Sequence, residues 1–323
     1  MITLADLPAP PAGRTGWPWT EAPRIEARTD GHSFTVVTPS YNQGGYLEET
    51  IRSVLLQGYP KLEYLVLDGG STDESVAIIE RYAPWITYWR SERDAGQADA
   101  IAEGLSRATG DVFNWINSDD VLQPGALAII DPLMDEADVV AGVCVNFAPD
   151  GTEERFECAH IIASEMMSAR SRTVFHQPAV WLRRANVLAA GGLERSLHYV
   201  FDWEMLVRVL NREPRVAYSS AVLARFRVHD ESKTVKAIAS FEFERGRAAR
   251  RLADTLTDRK LRTMAAALAR RQRWWRVLAR LQRRYGRSPR AAAIILRSAW
   301  REPSIRLSRP TFGSMRRALW PKQ

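Results

Sequence analysis

The chain has 323 residues, 46% of them hydrophobic and 26% charged, a composition typical of a globular protein with one or two domains. It contains no run of about 18 apolar residues, and its first residues have neither a basic leader nor an apolar core, so we expect no membrane span and no signal peptide. The two cysteines, Cys144 and Cys158, have no metal-ligand spacing, which favours reduced thiols in a cytoplasmic protein.

The net charge of +7 is distributed unevenly along the chain. Residues 245–323 hold 23 Lys or Arg against three acidic residues, whereas the preceding residues hold 22 basic against 35 acidic ones. This asymmetry predicts an anionic partner for the C-terminal region. An Arg-rich helix carrying Trp274 and Trp275 favours a membrane surface, and the lack of a binding motif disfavours nucleic acid. A solvated helical hairpin is the other interpretation.

Three regions are predicted. Residues 1–33 are rich in proline and read as a tail, which could pack on the surface through Trp17 and Trp19. Residues 34–236 form the main domain, with halves at 34–135 and 136–236. Residues 237–323 form a basic helical region at the C-terminus.

Strands and helices alternate after residue 33. Continuous apolar strands are predicted at residues 34–39, 62–67, 85–89 and 112–116, and helices at about 47–55, 74–82 and 97–107. Further strands are predicted at 139–147, 152–158 and 174–182, with helices at 183–190 and from about 202. Such alternation predicts an α/β fold built on a mostly parallel sheet with right-handed crossovers.

Polar turns follow three of these strands. Thr38 and Tyr41 follow the first, Asp68 ends the second, and the pair Asp119–Asp120 follows the fourth. In open α/β sheets such turns meet in one crevice, where ligands bind. Carboxylate oxygens suit Mg²⁺ or Mn²⁺. Taken singly, Asp119 could cap a helix near residue 124, Asp68 could be a turn residue and Tyr41 a core aromatic.

Five motifs occur in order: TPSYN at 38–42, SVLLQGYP at 53–60, LVLDGGSTDES at 65–75, DAGQADAIAEG at 94–104 and NWINSDD at 114–120. Together they resemble a family 2 glycosyltransferase with the GT-A fold, over about residues 34–235. The resemblance implies a Rossmann-like sheet with helices on both faces. It also implies transfer of a sugar from a nucleotide diphosphate with inversion, using Mg²⁺ or Mn²⁺.

The same resemblance assigns donor-binding roles. The matching positions for the nucleoside, ribose and donor sugar are Thr38, Pro39, Tyr41, Asp68, Asp94, Gly96 and Gln97. Asp68 matches the carboxylate that accepts from the base or ribose, which suits the imide N–H of uracil or thymine. We therefore expect a UDP- or dTDP-sugar donor.

The metal motif departs from the usual D-x-D pattern. Asp119 matches its metal-binding carboxylate, but the first position is Asn117, whose amide is a poorer ligand for a hard cation. Asn117 can still hydrogen-bond ribose or water. Asp120 is expected to supplement Asp119 as a metal ligand.

The general base is assigned in the second half of the domain. Asp202 resembles the second residue of the family motif E-D-x-D/E-L-x-x-R, where it takes the proton of the acceptor hydroxyl. Phe201 replaces the preceding Glu, whereas Glu204 and Arg208 are kept. Asp202 could instead be a helix N-cap, and Glu204 is the alternative base. The acceptor contacts are assigned to His176, Gln177 and Trp203.

The segment from Arg227 to Thr234 resembles the closing family motif R-x-H-x-x-S-K-T. His229 could be a further metal ligand, could contact the diphosphate or could be a structural residue. Arg227 or Lys233 could neutralise the charge of the leaving group. We expect a saccharide or lipid-linked saccharide acceptor, in cell-surface polysaccharide or glycolipid synthesis, at the inner face of the membrane. A nucleotidyltransferase and a catalytically silent membrane-docked scaffold are the alternatives.

Overall fold

The computed structural model describes residues 1–22, 25–168, 171–229, 238–285 and 288–300. Two compact units make up the chain. Met1–Met166 with Arg170–Ala237 form the first, here called the sheet unit, and Met167–Ala169 with Ile238–Gln323 form the second, called the helical unit. Lys233, to which donor binding was assigned, lies outside the described residues.

The first half of the sheet unit is a parallel α/β layer. Its elements are β1 (Phe34–Ser40), α1 (Gly44–Leu55), β2 (Leu62–Asp68), α2 (Ser75–Tyr82), β3 (Tyr88–Ser91), α3 (Gln97–Arg107) and β4 (Val112–Trp115). The strands pair in the order β3-β2-β1-β4, each pair parallel. All seven residues of β1 are buried, as expected for a central strand covered on both faces.

The second half adds antiparallel pairs to the same sheet. Its elements are β5 (Val121–Leu122), α4 (Ala126–Met134), β6 (Val139–Phe147), β7 (Glu153–Glu157), α5 (Ala163–Met167), β8 (Val180–Arg183), α6 (Arg184–Ala189), α7 (Phe201–Leu210) and β9 (Val216–Arg227). β8 joins β4 to β6, β9 joins β6 to β5, and β7 pairs with β6. All of these pairs are antiparallel except β6–β9, which is parallel. The predicted α/β fold, with helices flanking a curled sheet, is confirmed.

Two predicted strands begin later than expected, and proline explains both. Residues Ala83–Trp85 form a 3₁₀ turn around Pro84, so that β3 begins only at Tyr88. Residues Gln177–Ala179 form a second 3₁₀ turn around Pro178, and β8 begins at Val180. At both positions the proline, which has no N–H and a fixed φ, forms part of the 3₁₀ turn that precedes the strand.

Helix α3 packs directly on the central strand through a glycine. A Cβ at Gly104 would lie 2.6 Å from Cγ2 of Val37 in β1, so a larger residue cannot occupy this position without displacement. The close approach fixes the height of α3 over the sheet. Gln97, the first residue of α3, is thereby held at the edge where the parallel strands end.

The proline-rich N-terminal segment packs against α1. Arg52 of α1 is 1% exposed, and its guanidinium donates to the carbonyls of Pro8 (2.8 Å), Pro18 (3.0 Å) and Trp19 (3.0 Å). A buried cation needs such partners, because an unmet donor costs the full desolvation penalty. Trp19 is buried beside it. One arginine therefore holds residues 8–19 on the domain.

The helical unit contains α8 (Ile238–Thr255), α9 (Arg259–Tyr285) and α10 (Pro289–Trp300). Trp274 and Leu278 of α9 pack with Ile295 of α10. Over the residues that the structure describes, every helix is too short or too polar to cross a membrane.

Candidate active site

The parallel strands β1, β2 and β4 end at one edge of the sheet. Ser40 pairs with Asp68, and Val37 pairs with Trp115, so the turns that follow these strands are neighbours. The predicted donor and metal residues follow these strand ends. This edge is the position at which open α/β sheets bind ligands.

Asp68 is fully buried at the end of β2. Its Oδ2 accepts from the backbone N–H of Gly70 (3.0 Å) and Ser71 (2.8 Å) and from the hydroxyl of Ser91 (2.7 Å). Its Oδ1 accepts from the Ser71 hydroxyl. These four bonds use most of what a carboxylate can accept. Asp68 therefore shapes the turn after β2, and its contact with a nucleoside remains a prediction.

Tyr41 is exposed, whereas the residues before it are not. Its relative exposure is 62%, which excludes the core-aromatic interpretation. Thr38 and Pro39 are buried, and the Thr38 hydroxyl accepts from the hydroxyl of Tyr64 at 3.0 Å. Of these three residues, only Tyr41 offers an accessible ring face to a nucleoside.

The Asn117 amide explains the departure from the D-x-D pattern. Its Oδ1 accepts from Nε2 of Gln97 at 2.7 Å, and its Nδ2 donates to Oδ2 of Asp120 at 3.0 Å. A carboxylate at this position could not donate to Asp120 and would repel it. Asn117 thus links the start of α3 to the acidic pair.

Asp120 has both carboxylate oxygens engaged inside the fold. Besides the bond from Asn117, its Oδ1 accepts from the backbone N–H of Arg227 at 3.1 Å, and the residue is fully buried. Burial raises the pKa of Asp120 well above its ordinary value, and the charge of Asp119 adds to the effect. The prediction that Asp120 supplements Asp119 as a metal ligand is not supported, because its oxygens face protein donors.

Asp119 and His229 form the candidate metal pair. Oδ2 of Asp119 lies 3.1 Å from Nε2 of His229, whose ring packs on Tyr46 with centroids 5.0 Å apart. This is hydrogen-bond distance, and it is also the separation of two ligands at right angles on a cation with bonds of about 2.1 Å. The carboxylate of Asp119 is the kind of ligand that Mg²⁺ and Mn²⁺ prefer. Among the described residues, no cluster of three or more His, Cys, Asp or Glu could hold a metal ion. Further ligands would have to come from diphosphate and water.

Arg227, at the end of β9, contacts the turn that carries Asp119 and Asp120. Its Nε donates to the carbonyl of Asp119 at 2.9 Å, and its guanidinium pairs with Glu49 of α1 at 3.0 Å. The guanidinium also stacks on Tyr46 and Phe147. Glu49, Tyr46 and Phe147 were not predicted. Glu49 is 178 residues from Arg227 along the chain, and no local pattern signals such a pairing.

Asp94 and Gly96 form the loop that enters α3. Oδ1 of Asp94 accepts from the N–H of Gly96 at 2.8 Å, and Gly96 has φ of +115°, which favours glycine. Burial raises the pKa of Asp94, while the Gly96 N–H and the charge of Arg90 oppose the shift. Asp94 also lies against Gly69, so this loop and the turn after β2 are in contact.

Asp202 is the second residue of α7 and not its cap. Val200 occupies the N-cap position, and Oδ1 of Asp202 accepts from the adjacent Trp203 N–H at 2.7 Å. The capping interpretation is therefore wrong. The ring of Phe201 lies 5.9 Å from that of Trp115, which ends β4. The start of α7 accordingly lies near the end of β4, and the role of Asp202 as the base stays a prediction.

Glu204 is committed to an ion pair. It is fully buried and receives two bonds from Arg208, at 2.9 and 2.7 Å, and Arg208 also donates to the carbonyls of Ala190 and Gly192. A carboxylate held in this way does not abstract a proton from an acceptor. This placement argues against Glu204 as the alternative base.

The three predicted acceptor residues make contacts within the fold. His176 stacks on Phe156 with centroids 4.4 Å apart, and burial lowers its pKa. Gln177 donates to Oδ1 of Asn114 at 2.7 Å, and the buried Trp203 donates to the carbonyl of Met166 at 3.2 Å. These contacts are structural ones, and they lend no support to the predicted acceptor roles.

Comparison with known proteins gives a family match over part of the chain. Residues 35–187 match the family model for Glycosyl transferase family 2. An uncharacterised glycosyltransferase of Mycobacterium tuberculosis is 38% identical over 93 residues, which are 28% of this chain and 36% of that protein. The matched stretch is thus about a third of that relative's length.

Two solved structures show the same fold. TarS of S. aureus, residues 1–349 in complex with UDP-GlcNAc, superposes with a TM-score of 0.61 at 15% identity, covering 88% of this chain and 89% of that one. A mannosyltransferase of Pyrobaculum calidifontis in complex with GDP-Man and Mn²⁺ has a TM-score of 0.51 at 20% identity, covering 93% and 90%. The chain therefore has the fold of these two proteins, whose structures contain nucleotide sugars, and residues 35–187 match the family 2 model.

Proposed function

We propose that this protein is a glycosyltransferase that moves a sugar from a nucleoside diphosphate donor to an acceptor hydroxyl. The observation that carries the proposal is the Asp119–His229 pair at the carboxyl edge of the parallel sheet, with a donor set suited to a divalent cation. The family match over residues 35–187 supports it.

The donor is proposed to be a UDP- or dTDP-sugar. The resemblance at Asp68 and the UDP-GlcNAc complex of TarS both favour this choice. Tyr41 would cover the base with its exposed ring, since aromatic faces stack on nucleobases. Asn117 and Gln97 would lie beside the ribose and the sugar, with their amides fixed by their mutual bond.

A divalent cation held by Asp119 and His229 would supply positive charge that stabilises the diphosphate as it leaves. The remaining roles are filled by side chains of this protein. Arg227 holds the backbone of Asp119, and hence the direction of its carboxylate. Asp202 accepts the proton of the acceptor hydroxyl as its oxygen bonds to the anomeric carbon and the bond to the diphosphate oxygen breaks. One such displacement inverts the anomeric centre.

The acceptor is proposed to be a saccharide or lipid-linked saccharide of cell-surface polysaccharide or glycolipid synthesis. This part of the proposal rests on the family resemblance and on the basic C-terminal region. A lipid-linked acceptor would bring the enzyme to a membrane surface, where a basic region is favourable.

Donor turnover tests the proposal. The protein is incubated with UDP-, dTDP- and GDP-sugars and Mn²⁺, with water as the acceptor, and the released products are separated. A glycosyltransferase releases nucleoside diphosphate and free sugar. In a parallel reaction with nucleoside triphosphates and sugar 1-phosphates, release of pyrophosphate would identify a nucleotidyltransferase instead. The absence of both turnover and donor binding would favour the silent scaffold.

A further inference from the structure

Helices α8 and α9 cross closely at a glycine. A Cβ at Gly246 of α8 would lie 2.9 Å from Cβ of Gln272 in α9 and 3.9 Å from the Arg276 guanidinium. Gln272 is buried here and donates to Glu242. The crossing therefore places the partly buried side chain of Arg276 against α8.

Four cations meet beside this crossing. Arg276 lies within electrostatic range of Arg250 on α8 and of Arg273 and Arg280 on its own helix; these four residues are called the arginine cluster. In the described part of the chain, none of the four pairs with a carboxylate. Nε of Arg276 is buried and has no hydrogen-bond partner there. Burial lowers the pKa of Arg276, and repulsion from the other three arginines lowers it further.

Apolar groups flank the arginine cluster. The Arg276 guanidinium lies 5.0 Å from the ring centre of Phe243, which is 47% exposed. Trp275, the preceding residue of α9, is 44% exposed. Exposed aromatic rings beside unpaired cations are typical of helices that lie in the headgroup layer of a membrane.

Like charges held together without a counter-charge are unfavourable, and an anion that enters between them removes the repulsion. A guanidinium binds phosphate through two parallel N–H donors, and the exposed Arg250, Arg273 and Arg280 each bring a guanidinium to the cluster. We propose that the arginine cluster binds the phosphate groups of an anionic lipid surface, with Phe243 entering the headgroup layer. This inference does not depend on the catalytic site.

A lipid surface fits these observations better than a nucleic acid. Duplex phosphates would satisfy the four cations equally well, but a duplex backbone offers no apolar layer for Phe243 and Trp275. A lipid interface accepts both, because phosphates lie directly above hydrocarbon. Charge and exposed apolar area together therefore select the membrane.

The test is co-sedimentation of the full-length chain with vesicles of phosphatidylglycerol and phosphatidylcholine. The variant carries Arg250→Gln, Arg273→Gln and Arg280→Gln, all exposed positions, and leaves Arg276 in place. The matched control carries Arg259→Gln, Lys260→Gln and Arg262→Gln, which removes the same charge at the exposed start of α9. Circular dichroism verifies that both variants fold.

The cluster variant should bind the anionic vesicles at least about tenfold more weakly than wild type. The affinity of the control variant should fall by no more than about threefold. Equal losses in the two variants, or no binding of wild type to these vesicles, would overturn the proposal. Phe243→Ala, which keeps every charge, should weaken vesicle binding and leave any binding to a duplex oligonucleotide unchanged. Loss of duplex binding in the cluster variant with vesicle binding intact would assign the cluster to nucleic acid instead.

Discussion

The two halves of the sheet unit place their polar side chains in different ways. In the parallel half, side chains at the strand ends bond mainly to their own turns, as Asp68 does with Gly70 and Ser71. In the second half, side chains reach across the sheet to the first. Arg227 and His229 both contact Asp119, more than 100 residues earlier in the chain.

This difference separates two tasks. The parallel half forms the crevice from local turn chemistry, which needs only short-range contacts. The second half fixes the carboxylate that is proposed to face the diphosphate, and it supplies the proposed base. Substitutions at Asp202, or at residues that hold Asp119 in place, should therefore affect chemistry or metal affinity, whereas substitutions at residues that only pack within one half should mainly affect stability.

The largest effect is expected from Asp202→Asn. Removing the proposed base should lower kcat for transfer by about 100-fold or more, since general-base catalysis contributes about 10²–10⁴. Nucleotide affinity should stay near wild type, because Asp202 is not assigned to the donor. Initial rates and nucleotide titrations on the same preparation measure both quantities. Near-wild-type transfer would remove Asp202 from the mechanism.

Arg208→Met tests the buried pair with Glu204. The carboxylate of Glu204 would remain fully buried without its cation, so the free energy of unfolding should fall by about 3–5 kcal/mol. The control is Arg107→Met, which breaks a pair of the same spacing with Glu103 at an arginine that is 45% exposed; it should cost less than about 1 kcal/mol. Urea unfolding of both variants makes the comparison. Similar losses would contradict the structural role of the buried pair.

Gly104→Ala probes the parallel half. The added Cβ would meet Val37 at 2.6 Å, and separating α3 from β1 should cost about 1–3 kcal/mol. At Gly45, in the first turn of α1, a Cβ would meet nothing within 4 Å, so Gly45→Ala should be neutral or slightly stabilising. Thermal unfolding distinguishes the two variants. A tolerated alanine at residue 104 would show that the α3–β1 contact can relax.

Glu49→Gln tests the link between the halves. Arg227 would lose its carboxylate partner and hold the backbone of Asp119 less firmly, and we expect a loss of about tenfold in Mn²⁺ affinity. Glu48→Gln removes a charge from the adjacent residue, which instead contacts Arg81 and Tyr82, and should leave metal affinity within about twofold. Calorimetric Mn²⁺ titration in the presence of UDP gives the readout. If Glu48→Gln lowered Mn²⁺ affinity as much as Glu49→Gln does, the loss would come from the change in overall charge and not from the contact with Arg227.

Local patterns predicted many of the regular elements well. Gln97–Arg107 and Val139–Phe147 have the predicted bounds, and the first two strands extend by one residue each. Such elements follow from apolar periodicity and from glycine and proline at their ends. Parallel pairing of the strands is enough to predict that Asp68 and Asp119 lie at the same edge of the sheet.

Contacts between distant residues could not be predicted in the same way. β9 has an irregular burial pattern, in which partly buried positions predominate and only two are exposed, and it was not predicted as a strand. The Glu49–Arg227 pair and the Arg208 bonds to two carbonyls depend on tertiary packing. The sequence carries no periodic signal for either. The role of Asn117 became clear only with both of its amide partners in place.

The most direct test of the central claim is a thermal-shift titration with UDP, with and without Mn²⁺, in wild type and Asp119→Ala. A ligand that binds only the native state raises its stability with the logarithm of ligand concentration over Kd. We predict a rise in Tm that needs both UDP and Mn²⁺, is absent in Asp119→Ala and is kept in the control Asp150→Ala, which changes an exposed turn. An equal metal-dependent rise in Asp119→Ala, or none in wild type with any nucleotide, would contradict the proposed site.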